Sequence, residues 1–207
     1  MAVETVKEIL MRNLKTEGLE IGSIGVKTER NRIVVDESFE TSVKGVYAIG
    51  DVTGGVQLAH AASAQGVAAA ERMMGTESRM NFSIIPACIY THPEIASVGM
   101  TERQAKDAGI SYNIGKFPFR ANGKALAMGQ GEGFVKIIAD KKYGEIFGVH
   151  IIGPRATDMI GEMAVAMKLE GTAEDIGATI HAHPTLSEAI MEAAHDCAGH
   201  AVHMPPK

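Results

Sequence analysis

The apolar and polar positions of this chain fall into two patterns, and the change between them lies near residue 80. In the front part, "RIVVD" at 32–36 and "GVYAIGD" at 45–51 are short runs rich in β-branched or aromatic residues with turn formers beside them, so both predict strands. The second run ends on Gly50 and Asp51. Residues 58–75, "LAHAASAQGVAAAERMMG", are alanine-rich, predict a helix and reach Gly75 as its stop. Strand, glycine-bearing loop and helix make half of an α/β unit.

Beyond the polar stretch "GTESRMNFS" the pattern differs. Thr101, with Gln104 three positions later and Gly109 as a stop, predicts a short helix opened by a capping box. "GFVKIIA" at 133–139 and "EIFGVHII" at 145–152 predict two strands, joined through "DKKYG" as an antiparallel hairpin. Residues 156–171, "ATDMIGEMAVAMKLEG", set Ile160, Met163, Ala164 and Met167 on one helical face, which should pack on the sheet, and close at Gly171. The expected organisation is therefore 1–80 and 81–207, α/β followed by α+β, with no internal repeat or low-complexity tract.

Composition narrows the function classes. With 207 residues and 45% apolar content a real core is expected, and a net charge of -5 offers no basic field for nucleic acid or anionic lipid. Small ligands or protein partners are the expectation. No run approaches the roughly 18 apolar residues of a membrane span. The opening "MAVETVKEIL" lacks the order of a signal peptide, so the expected location is cytoplasmic. Cys88 and Cys197 are too far apart for a CxxC or CxxxxC pair and read as small buried or partly buried thiols.

Five features could carry chemistry. Asp51 follows a predicted strand, where open α/β sheets bind ligands, and its carboxylate could accept hydrogen bonds from a polyol; alternatively it closes a turn. The helix start near Leu58 offers amide donors and a positive dipole end to an anionic group. "GQGEG" at 129–133 has the wrong spacing for a dinucleotide loop and reads as a connection between hairpin strands. His181, His183, His195, His200 and His203 cluster late in the chain, but no HExxH accompanies them, and no metal is expected, although His200 and His203 could share a helix face. In "HAHPTLSE", Glu188 could complete a T-x-x-E cap with Thr185. It could equally accept a hydrogen bond from His183, fix the tautomer and leave the other ring nitrogen to take a proton. Pro184 drives His183 out of helical conformation and allows a cis bond. Spacing leaves both readings open.

Taken in order, "RIVVDESFETSVKGVYAIGDVTGGVQLAHAASAQG", "IPACIYTHPEIASVGMTERQAKDAG", "GFVKIIAD", "IFGVHIIGPRATDMIGE" and "IHAHPTLSEAIMEAA" resemble consecutive motifs of the dihydrolipoyl dehydrogenases, flavoproteins of the class I pyridine nucleotide-disulfide oxidoreductase family. The resemblance implies the tail of an FAD-binding lobe over 1–80 and an interface domain over 81–207, an antiparallel sheet flanked by helices. It implies Asp51 on the ribityl chain of FAD and Gln57, Leu58, Ala59 and His60 beside the flavin, with Gln57 standing where the family has methionine. It also implies His183 as the base that deprotonates a dihydrolipoyl thiol and Glu188 as its orienting partner. NAD as acceptor, a homodimer in which the base serves the neighbouring subunit, and the lipoyl domain of the E2 component of a 2-oxo acid or acetoin dehydrogenase complex come with the same resemblance.

The departures matter equally. The sequence carries neither the GxGxxG nor the CxxxxC of the family's front half, nor a second nucleotide fold for NAD. "MRNLKTEGL" resembles "GRxPNTEGL" but has Met11 for the glycine and Leu14 for the proline. The chain is therefore read as a carboxyl-terminal portion, expected to be inactive alone; the alternative is a stand-alone dimerisation module without catalysis.

Overall fold

The structure is a computed structural model that describes residue 16 and residues 18–204. The opening decapeptide and the Met11 and Leu14 positions lie outside the described residues. The chain divides into two compact units, Met1–Met80 and Asn81–Lys207.

In the first unit, strands β1 (Thr28–Glu29) and β2 (Arg32–Ile33) pair antiparallel. The residues between them, Arg30 and Asn31, both have positive φ, as a two-residue hairpin turn requires. The strands expected over 32–36 and 45–51 are realised only in part: beyond β2 there are isolated bridges, Val35 with Thr41 and Glu40 with Tyr47. A strand is completed by a neighbour, and beyond the Ala48 amide, which donates to the Phe39 carbonyl at 3.0 Å, the run pairs with no strand among the described residues and ends in a 3-10 turn, Gly50–Thr53. Val26, Ile33 and Ala48 form a small core. Helix α1 (Ala59–Met73) follows, burying Ala61, Gln65, Ala68 and Ala69.

The second unit is built on a five-stranded antiparallel sheet in the order β3-β4-β7-β6-β5. Its strands are β3 (Ala87–Ile89), β4 (Glu94–Gly99), β5 (Tyr112–Pro118), β6 (Phe134–Asp140) and β7 (Ile146–Gly153). The expected hairpin is β6 and β7, with a bulge at Ile138/Ala139. Helix α2 (Glu102–Asp107) carries both legs of the expected capping box, the Thr101 hydroxyl accepting from the Gln104 amide and the Gln104 side chain accepting from the Thr101 amide. Helix α3 (Gly123–Ala127) and the "GQGEG" stretch lie in the long connection between β5 and β6, which is not a tight hairpin turn. Gly133 is required there, because its φ is positive and a Cβ would fall 1.8 Å from the Ile152 carbonyl oxygen.

Alternation in the strands gives one face to the core. Ala96 and Val98, Val149 and Ile151, Val135 and Ile137, and Phe117 are buried there against helices α4 (Ala156–Lys168) and α6 (Glu188–Cys197). The helices contribute Ile160 and Met163, and Ala189, Ile190 and Ala193, to the same core, where each large side chain removed from water stabilises by about 1.5–3 kcal/mol. Ala164 and Met167, expected on this face of α4, pack against the core while partly buried. Glu94 fastens the start of α4, its Oε2 accepting the Thr157 amide (3.0 Å) and hydroxyl (2.7 Å). Helix α5 (Ala173–Ala178) opens on a second capping box, Thr172 with Asp175. Helix α6 rides close on edge strand β5: a Cβ on Gly115 would meet the Ala193 carbonyl oxygen at 1.8 Å, and the Asp196 carboxylate accepts the Lys116 amide at 2.8 Å.

Candidate active site

The loop between α5 and α6 is tied down at several points before it reaches His183. The Thr179 hydroxyl donates to the Asp175 carbonyl at 2.8 Å. The buried imidazole of His181 lies between the Thr179 carbonyl (Nδ1, 2.8 Å) and Glu162 Oε1 on α4 (Nε2, 2.9 Å). The His183–Pro184 peptide is cis. The Thr185 hydroxyl donates to the Ala182 carbonyl at 2.7 Å, and the Thr185 carbonyl accepts from Asn122 Nδ2 at 3.0 Å. Asn122 is itself buried and also accepts the Ala125 amide, so one side chain caps α3 and braces this loop. Leu186 then enters the core and α6 begins.

On this support His183 Nδ1 lies 2.9 Å from Glu188 Oε1, while Glu188 Oε2 accepts the Thr185 amide at 2.8 Å. The two readings of Glu188, partner of His183 and partner of Thr185, therefore occupy different oxygens of one carboxylate. Thr185 does not cap α6: the N-cap is Ser187, with no side-chain cap, and the Thr185 hydroxyl is engaged by Ala182, so of the expected box only the bond from the Thr185 amide to the Glu188 carboxylate is made. His183 is exposed at 78% of its side chain and Glu188 at 22%, an imidazole open to solvent on a largely covered carboxylate. Burial pushes the Glu188 carboxyl up, but the Thr185 amide, the bond from His183 and the charges of His183 and His203 outweigh it and hold it below its ordinary value. An ionised Glu188 in the first turn of α6 also faces the positive end of the helix dipole.

In the first unit, Asp51 sits half-buried in the 3-10 turn rather than at a strand end. That turn is fixed to α1 by Gln65, a buried side chain whose Oε1 accepts the Gly50 amide at 2.7 Å. Gln57 and Leu58 are half-buried, and Ala59 and His60 are exposed in the first turn of α1. Leu58 is the N-cap and no side chain caps the helix.

The remaining candidates separate. Helix α6 ends at Cys197, so His200 and His203 lie beyond it and share no helix face. Among the described residues no three His, Cys, Asp or Glu side chains gather as a metal would need. Cys88 and Cys197 are half-buried thiols, and burial followed by the charge of Glu94 pushes Cys88 up. Sequence reasoning missed Asn122, Gln65 and the buried Glu192. Asn122 carries a legible signal, an N-cap type before "GKALA", whereas the other two act through contacts that no local spacing announces.

The sequence model of the pyridine nucleotide-disulphide oxidoreductase dimerisation domain matches residues 85–194, and that of the pyridine nucleotide-disulphide oxidoreductases matches residues 12–66. The chain is 49% identical over 190 residues to mitochondrial dihydrolipoyl dehydrogenase 2 of Arabidopsis thaliana, covering 91% of this chain and 38% of that one. It is 49% identical over 193 residues to dihydrolipoyl dehydrogenase of Bacillus subtilis, covering 93% and 41%. The crystal structure of LpdA from Mycobacterium tuberculosis superposes with a TM-score of 0.82 at 32% identity, covering 88% of this chain and 40% of that one. The chain thus spans about two fifths of the length of the curated relatives it matches.

Proposed function

Because this chain belongs to the pyridine nucleotide-disulphide oxidoreductase family, we propose that it supplies the carboxyl-terminal part of a dihydrolipoyl dehydrogenase. In this reading residues 1–80 are the end of an FAD-binding lobe and residues 81–207 the interface domain. The protein acts as a cytoplasmic homodimer on the lipoyl domain of the E2 component of a 2-oxo acid or acetoin dehydrogenase complex, with NAD as final acceptor. No helix among the described residues is long and apolar enough to cross a membrane.

The observation that carries the proposal is the hydrogen bond between His183 Nδ1 and Glu188 Oε1. An ionised carboxylate only accepts, so Nδ1 carries the proton and the lone pair is left on Nε2. Nε2 takes the proton of a dihydrolipoyl thiol, and the thiolate becomes the nucleophile for disulfide exchange. Glu188 steadies the imidazolium that results and fixes the ring, and the Thr185 amide fixes Glu188. The electron-accepting cysteine pair is not in these 207 residues.

The first unit fits part of FAD. Asp51 would hold polyol hydroxyls through its carboxylate, and the start of α1 at Leu58–His60, with no side-chain cap, would offer amide donors and a positive dipole end to an electron-rich group; Gln57 precedes them. FAD, when bound, supplies the two-electron redox chemistry that this chain's side chains lack. The test is to mix the chain with one carrying the family's GxGxxG and CxxxxC half. Yellow flavin absorbance and dihydrolipoamide-dependent NADH formation appear in the mixture and in neither chain alone; turnover by this chain alone, or a colourless inactive mixture of folded partners, contradicts the reading.

A further inference from the structure

Glu192 is a carboxylate 3% exposed, in a position where an unpaired charge would be costly. It is fully engaged, but by a segment that follows its own helix. Helix α6 closes with Gly199 in the left-handed region and the His200 amide bonded back to the His195 carbonyl at 3.0 Å, so the chain reverses. The returning segment lays the amides of Val202 and His203 on Glu192 Oε2 at 3.0 and 3.1 Å, and His203 Nδ1 lies 2.8 Å from Glu192 Oε1. Met204 beyond it packs on the main core.

This repeats the geometry of the first pair. In both, an exposed imidazole uses Nδ1 on Oε1 of a covered glutamate whose Oε2 accepts backbone amide. Glu188 and Glu192 are four residues apart on α6, one above the other and separated by about 6 Å of helical rise. We propose that Glu192 is a positioning residue for the His183–Glu188 pair: it clamps the segment after α6 along the helix and stations the His203 imidazole one turn from Glu188. The inference rests on the reading of His183 as the base.

The charged groups acting on Glu188 are His183 from the preceding loop and His203 from the returning segment, with Glu192 one turn on along α6 itself. When His203 gains a proton its field opposes protonation of Glu188. Glu188 is thereby held as the ionised acceptor of the His183 Nδ1 bond. A buried charge used only to fasten a chain end could be replaced by an apolar contact at less cost, whereas a clamp that also holds a titratable ring beside Glu188 needs a carboxylate.

The experiment uses the 207-residue chain, with amide hydrogen exchange at Val202 and His203 and a carbon NMR titration of the Glu188 carboxyl. In the parent both amides are protected. Glu192→Ala loses that protection by about tenfold or more. His203→Asn retains it, because the Asn amide donates where Nδ1 did, yet raises the Glu188 midpoint by a few tenths of a pH unit as the charge is lost. Should Glu192→Ala fail to fold, His203→Asn still decides. An unchanged Glu188 midpoint in His203→Asn, or unprotected amides at 202–203 in the parent, overturns the inference. Neither readout depends on turnover, so failure of the base assignment, read from activity of a His183 variant, is distinguishable from failure of the clamp.

Discussion

Glu188 divides two tasks between its two oxygens, and at the residue scale this explains why a five-residue spacing could be read in two ways. Both partners lie within the same short segment, so the pair was legible in the sequence. The cap that Asn122 gives α3 has a local signal, but its brace on the Thr185 carbonyl, 63 residues away, has none, because only the packing of the second unit brings them together. Asn122→Ala should lower stability by about 1–2 kcal/mol in urea denaturation, through loss of the α3 cap and an unpaired carbonyl. Acid sensitivity belongs to the same scale. Glu94, through its two bonds from Thr157, and Glu188 both have folded-state values below the ordinary 4.5. Each therefore stabilises the fold fully above 4.5 and loses that contribution as pH falls through the folded value. Thermal denaturation from neutral to acid pH should show a midpoint that drops below that range, and a shallower drop in Glu94→Gln.

At the scale of elements, legibility followed contiguity. β6 and β7 are long apolar runs with a turn-forming link, and α2 carries both residues of its capping box. β4, "EIASVG", and β5, "YNIGKFP", hold small residues, glycine or proline and become strands because neighbours pair with them. The shortened strands of the first unit are the converse case. Position of the Glu188-bearing helix depends on Gly115, where a Cβ would meet backbone atoms of α6 that no rotamer change can move. Gly115→Ala should destabilise by about 2 kcal/mol or more and displace the Glu188-bearing helix, seen as a lowered melting temperature with changed amide shifts along α6. Thr101→Ala, which removes only the α2 cap, should cost about 1 kcal/mol and leave α6 shifts in place.

For the whole molecule, the pattern change near residue 80 separates a small unit with a few-residue core from one with a full sheet-and-helix core. The larger unit matches a dimerisation domain, and sedimentation should find the chain as a dimer whose melting temperature rises with protein concentration. What no reading of 207 residues could supply is the set of groups a dihydrolipoyl dehydrogenase holds elsewhere in its length. The decisive measurement is dihydrolipoamide-dependent NADH formation by the chain mixed with its complementary front half, comparing the parent with His183→Gln. Turnover falling by about 10²–10⁴-fold, with flavin absorbance retained, is the expected result; a His183→Gln mixture that turns over as fast as the parent contradicts His183 as the base.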